Sequence, residues 1–297
     1  MSVETAATSR RATSAVIQLG LSLSIFGALS CAPPAAVATF AAGADKAIAA
    51  GTPIFADIHE SCVRRQAEEE HIAPQYPHVG QNPTSAAGDS VCTSFAAEVQ
   101  ELESVSSVLS AYFRAIQELA AFDEANVSAQ AEHAGENVGT AAVLSLNQAD
   151  AVAKLSGLIT RAVTGHYQRS KLREFLRTAD PHVAAISQAL ETILTRDYAS
   201  LLDEEERAIK RRYQQVSGTR DLATVLLLNR AYTEDLNELK RRRRTAEAYV
   251  NVLKQVRDGH HVLASGAERF NNKEISLVLE PYILQLEAFT PAIQTLR

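Results

Sequence analysis

Tryptophan is missing from this chain, methionine occurs once and only 6% of residues are aromatic. That composition excludes the stacked aromatic platforms that grip single-stranded nucleic acid. Thirteen glycines and nine prolines are few for 297 residues, so the turn density of a β-sandwich or barrel is absent too. No stretch alternates apolar and polar residues for long enough to form a strand. The catalytic signatures are missing as well: no H-E-x-x-H, no G-x-S-x-G, no phosphate-cradling glycine loop, no paired Glu-x-x-His and no Cys–His nucleophile pattern. A net charge of -6 and a pI near 5.8 give no global attraction to nucleic acid. What is plentiful is alanine, leucine, glutamate, glutamine and arginine, within a 46% apolar composition. These are helix formers in sufficient number to bury a core.

The first thirty residues have a separate character. Arg10 and Arg11 precede an apolar stretch from Ala15 to Leu29 that Gln18, Gly20, Ser22, Ser24 and Gly27 dilute and Pro33 and Pro34 close. This is shorter and more polar than the ~20-residue run of a membrane-spanning helix, and it predicts an export signal over residues 1–30. At its end, Ala28-Leu29-Ser30-Cys31 resembles the lipobox of bacterial lipoproteins. The resemblance covers this segment alone, and no domain family is recognised beyond it. It implies that the Cys31 sulfur receives a diacylglycerol and that Cys31 becomes the mature N-terminus. Cleavage after a nearby alanine, without lipid, is the competing outcome. Ala32, in place of an aspartate, implies a periplasm-facing outer-membrane address rather than an inner-membrane one. Each buried methylene adds ~0.8 kcal/mol, so several acyl chains give permanent membrane attachment. Residues 31–51, rich in proline and alanine at first, read as the tether, although TFAAGADKAIAAG could also begin a helix.

Lipidation of Cys31 leaves Cys62 and Cys92 as an even pair, which in an exported chain predicts a disulfide. The enclosed segment carries Pro74, Pro77, Gly80, Pro83 and Gly88 and is the most turn-rich of the chain. Residues 52–94 therefore read as a short helix plus a disulfide-closed loop. The alternative is a metal site built from His59, Cys62, His71, His78 and Cys92, but these spacings match no zinc module, so no metal and no cofactor is assigned.

From residue 95 to 297, apolar residues recur at steps of three and four, as in Phe95, Val99, Leu102, Leu109, Phe113 and Ile116. The pattern predicts an all-α fold: an elongated up-and-down antiparallel bundle of about five long helices with coiled-coil-like seams. The helices are placed at 95–133, 138–178, 181–216, 220–261 and from 272 onward. Asp180-Pro181 reads as the stop between the second and third, with aspartate as N-cap and proline at the first helical position.

One local feature stands out, the run Lys240, Arg241, Arg242, Arg243 and Arg244. A hairpin turning near 218 sets it opposite residues 192–196, with the acidic run 203–206 about ten residues away, so part of its charge is expected to be unpaired. Arg243 is the member expected on the apolar seam, its stem packed and its head outward. Five consecutive residues wrap the whole helix, so at most about three face one ligand. His260 and His261 stand near a helix C-terminus, where protonated histidine is favoured, and on diverging faces. His166 lies on a seam and reads as a core histidine. Together these features describe a non-catalytic, lipid-anchored envelope lipoprotein acting as a scaffold or interaction module, its partner an envelope protein or a second copy. An anion-binding module using residues 240–244 for a lipid headgroup or cell-wall polymer is the alternative, and a metal-dependent enzyme ranks third. No nucleic-acid partner is assigned.

Overall fold

The computed structural model describes residues 35–72, 86–121, 144–164, 171–216, 221–266 and 272–295. The segment 1–30 read as an export signal, Cys31, His78, His166 and the continuation expected for the 95–133 helix beyond Ala121 lie outside them. The six elements are α1 (Ala35–Ile72), α2 (Ala86–Ala121), α3 (Leu146–Thr164), α4 (172–216), α5 (Leu222–Gly266) and α6 (Asn272–Thr295). Helix α4 is continuous but changes pitch: α-helical Leu172–Thr192, π-helical Ile193–Tyr198, then α-helical Ala199–Val216. All pack into one helical bundle, with no strand among the described residues.

Side-chain pairs fix the directions. Cys62 bonds Cys92, and Asp45 accepts from Arg114, so α1 and α2 run antiparallel. Asp57 meets Tyr198 while Glu68 meets Arg212, so α1 and α4 run parallel. Glu191 with Arg257 and Asp203 with Arg243 make α4 and α5 antiparallel. Helix α1 thus packs against α2, α4, α5 and α6.

The structure differs from the sequence reading at α1. Residues 35–51, read as a tether, are the first half of a 38-residue helix. Phe40, Ala41, Ala44, Ala47 and Ile48 are wholly buried. Alanine lets neighbouring backbones come close, and the short apolar side chains that looked like linker composition are the inner face of the central helix. Two glycines mark the closest approaches. A Cβ at Gly51 would stand 2.0 Å from the ring of Tyr249, and one at Gly259 2.5 Å from the ring of Phe40.

A second difference concerns Pro181, which sits inside α4 rather than at its start. The described part of α3 ends at Thr164, and α4 runs from Leu172 through Pro181. Proline removes one backbone donor, but Phe175, Ala179, Val183, Ile186 and Leu190 form one continuous buried stripe across it, and that burial outweighs the local signal. The expected helix at 272 begins there, and the count is six rather than five long helices because α1 joins them.

The glycines separate steric fit from helix propensity. Gly51→Ala is expected to destabilise the protein by about 1–3 kcal/mol, because Tyr249 is fully buried and has no room to retreat. Gly157→Ala, whose new Cβ meets nothing within 4 Å, should instead stabilise it by about 1 kcal/mol. Urea denaturation of the two variants reads both signs.

Candidate functional site

The basic run lies mid-way along α5, and its five members face different surroundings. Arg242 is the one on the seam, 9% exposed, and it donates to both oxygens of Glu205 at 2.9 and 2.6 Å and to Asp57 at 3.2 Å. Glu205 is itself only 2% exposed and also accepts from Ser61 at 2.6 Å and from Arg64 at 3.0 Å. Asp57 accepts from Arg64 at 2.6 Å and from the hydroxyl of Tyr198. Two guanidiniums and two carboxylates from α1, α4 and α5 therefore close a net-neutral cluster.

Its electrostatics follow from burial. Desolvation pulls the Arg242 pKa down, but Glu205 and Asp57 more than offset it, and the guanidinium is held above its ordinary value. Burial first, then Asp57, pushes the Tyr198 phenol up. Neither group changes charge near neutral pH, so neither supplies an acid or a base. The adjoining cleft of about 240 Å³ is lined by Asp57, Glu60, Arg64, Glu238 and Arg241, whose charges already pair with one another or with Arg242.

The other members of the run are placed as follows. Arg243 bridges Asp203 and Glu206, each at 2.7 Å. Arg241 pairs with Glu238 at 2.5 Å. Lys240 and Arg244 are exposed and face no carboxylate among the described residues; Arg244 donates to the Lys240 carbonyl. The acidic run is thus opposite the basic run, not ten residues away. Helix α5 begins beyond the end of α4, leaving Leu222, Leu226 and Leu227 61–70% exposed, and this overhang displaces the register from that of a symmetric turn. Arg242, not Arg243, occupies the seam because α5 is buried on more than one side: Tyr249, Val252 and Val256 join Ala246, Val250 and Leu253 in the core.

A second polar cluster joins the two adjacent histidines that were expected to diverge. Both reach one carboxylate: His260 Nδ1 is 3.1 Å and His261 Nδ1 2.8 Å from the oxygens of Asp180. The carboxylate selects the Nδ1–H tautomer of His260, so Nε2 accepts from the Tyr112 hydroxyl at 2.7 Å. Burial lowers the His260 pKa despite Asp180, the opposite of the protonated histidine expected at a helix end. Burial alone would raise the Asp180 pKa, yet the hydrogen bonds from both histidines hold it below the usual carboxylate value. Phe175 stacks on Tyr112 and Phe113 packs edge-on against His260, so these two members are wholly buried, while Asp180 is partly exposed at the end of the chain.

Cys62 and Cys92 are bonded, Cα atoms 5.7 Å apart, so neither is a thiolate that could bind metal. His59 shares α1 with Cys62, and among the described residues no group of three or more His, Cys, Asp or Glu could hold a metal ion. No described helix is long and apolar enough to cross a membrane. No family model, curated protein or solved structure matches this chain. Asp57 and Tyr198 were not singled out by the sequence, Asp180 was read only as a helix N-cap, and the one signal for Glu205 was its place in the carboxylate run 203–206.

Arg242→Ala takes from the buried Glu205 its two-point partner, leaving Arg64 and Ser61, and should cost about 3 kcal/mol, whereas Lys240→Gln should stay within about 0.5 kcal/mol; thermal and urea unfolding measure both. For His260 the folded pKa lies below the unfolded one. As pH falls through about 6.5, the unfolded chain takes up a proton that the folded chain refuses, and stability drops. Asp180 adds a further loss only when pH falls through the carboxylate range. The urea midpoint should therefore decline between pH 7.5 and 5.5, and His260→Asn should flatten that decline.

Proposed function

We propose that this chain is a non-catalytic, lipid-anchored helical-bundle lipoprotein of the bacterial cell envelope, acting as a scaffold or protein interaction module. The observation that carries the reading is the Cys62–Cys92 disulfide between α1 and α2. Such bonds persist in oxidising compartments and are rare in the cytosol. They agree with an export signal over residues 1–30 and with Cys31 as the lipidated residue, leaving the two bonded cysteines as the only other pair. The polar clusters support the non-catalytic part. Their carboxylates are bonded to neighbouring cations, hydroxyls or imidazoles, although Arg242 Nε is buried without a hydrogen-bond partner.

Helix α1 begins at Ala35, so only residues 32–34 separate it from Cys31. Three residues span at most about 11 Å. An acyl group on Cys31 then holds the α1 N-terminus next to the bilayer, with outer-membrane placement following from Ala32. A second reading, anion binding by residues 240–244, rests on Lys240 and Arg244, the two cations of the run without a carboxylate among the described residues.

Metabolic labelling with a fatty-acid probe should mark the wild-type protein and not Cys31→Ser. A thiol assay on the denatured, unreduced mature protein should find no free thiol. A soluble, unlabelled product, or two free thiols, contradicts the reading. For the alternative, Lys240→Gln with Arg244→Gln should abolish salt-sensitive retention on envelope extracts, and unchanged retention ends it.

A further inference from the structure

On the side of Tyr198 away from the Arg242 cleft, α4 and α5 enclose a pocket of about 480 Å³. That volume falls within the range of small-molecule sites. Its apolar lining comes from Leu194, Leu202, Ala246 and Val250. Tyr198 belongs to both cavities, and with its hydroxyl committed to Asp57 it offers this one its ring. One wall is the π-helical turn Ile193–Tyr198. Single π turns inside α-helices cost stability and recur at functional sites.

The polar residues at the rim differ from those of the closed clusters. Glu247, Asn251 and Lys254 line the pocket at helical spacing on α5, and none makes a hydrogen bond or ion pair among the described residues. Arg243, at the other end, is already bridged by Asp203 and Glu206. Lys254 is exposed and makes no contact ion pair; the nearest carboxylate acting on it is Glu191 of α4, which is already bonded to Arg257 at 2.7 Å, so Lys254 keeps hydrogen-bonding capacity for a ligand, with the Asn251 amide beside it. Glu247 stands seven residues away, about 10 Å along the axis, too far to neutralise it by contact. From Arg243 to Lys254 the slot runs about 16 Å along α5, long relative to its volume. Such a shape suits an extended aliphatic chain better than a compact ring system.

We propose that this pocket binds a single-chain amphiphile, its aliphatic tail along Leu194, Leu202, Ala246 and Val250 and its small anionic head on Lys254 and Asn251. The site does not depend on the anchor at Cys31. Whether the head is a carboxylate or a phosphate is a matter of source, since both present oxygens to an ammonium and an amide.

The test is calorimetric titration of the full chain with dodecanoate below its aggregation concentration, with dodecyltrimethylammonium and inorganic phosphate as comparators. One dodecanoate should bind per chain. Val250→Trp, which fills the slot, should weaken it at least tenfold, and Lys254→Gln should weaken dodecanoate about three- to tenfold without affecting the cationic amphiphile. If Val250→Trp loses its helical circular dichroism, Thr195→Phe fills the slot from its exposed rim and replaces it. Absence of saturable binding, or binding unchanged in the filled variant, overturns the site. Equal affinity for the cationic amphiphile overturns the anionic head, and displacement of dodecanoate by phosphate alone overturns the role of the tail.

Discussion

The structure depends on how closely α1 and α5 approach. Gly51 accepts the ring of Tyr249 and Gly259 accepts the ring of Phe40, so each helix supplies a bulky aromatic that fits where the other has no side chain. Tyr249 then donates to the Ile48 carbonyl at 3.2 Å, and Phe55 and Phe113 pack edge-on against Tyr249 and Phe40. Interiors are packed too densely for such rings to shift aside, so the two contacts fix both the separation and the axial position of the helices. With α1 held this way, α2, α4 and α6 pack around it, and its buried face begins at Val37.

Charge adds a second constraint. A buried guanidinium without a partner is far costlier than any mismatch of apolar surface, and Arg242 finds Glu205 and Asp57 only in the register observed. That register leaves Leu222, Leu226 and Leu227 in solvent. It also places Tyr198 between two unlike cavities, one filled by paired charges and one apolar with unpaired polar groups at its rim. The π-helical turn ends at that same tyrosine. The change of helical pitch, the ion cluster and the open pocket are thus parts of one local arrangement.

The helical class was legible because steps of three and four dominate from Phe95 onward, and the Cys62–Cys92 bond because the expectation of export left few other uses for two cysteines. The start of α6 was legible from the return of apolar spacing near Asn272. The central role of α1 was not, since alanine and glycine carry little hydrophobic signal and look alike in a linker and in a tight helix contact. Pro181 misled because a local breaker says nothing of the buried stripe around it. The assignment of Arg243 to the seam failed because a two-sided helix has no single seam, and the offset of the acidic run failed because α5 overhangs α4. The joining of His260 and His261 at Asp180 needed the neighbouring helix, which periodicity within α5 does not reveal.

Hydrogen–deuterium exchange across residues 35–51 tests the central claim most directly. If α1 is the core of the bundle, the amides from Phe40 to Ile48 exchange only through global unfolding and rank among the slowest in the protein. Exchange there at the rate of an open chain, with α2, α4 and α5 still protected, would show that the bundle forms without this segment and would contradict the account.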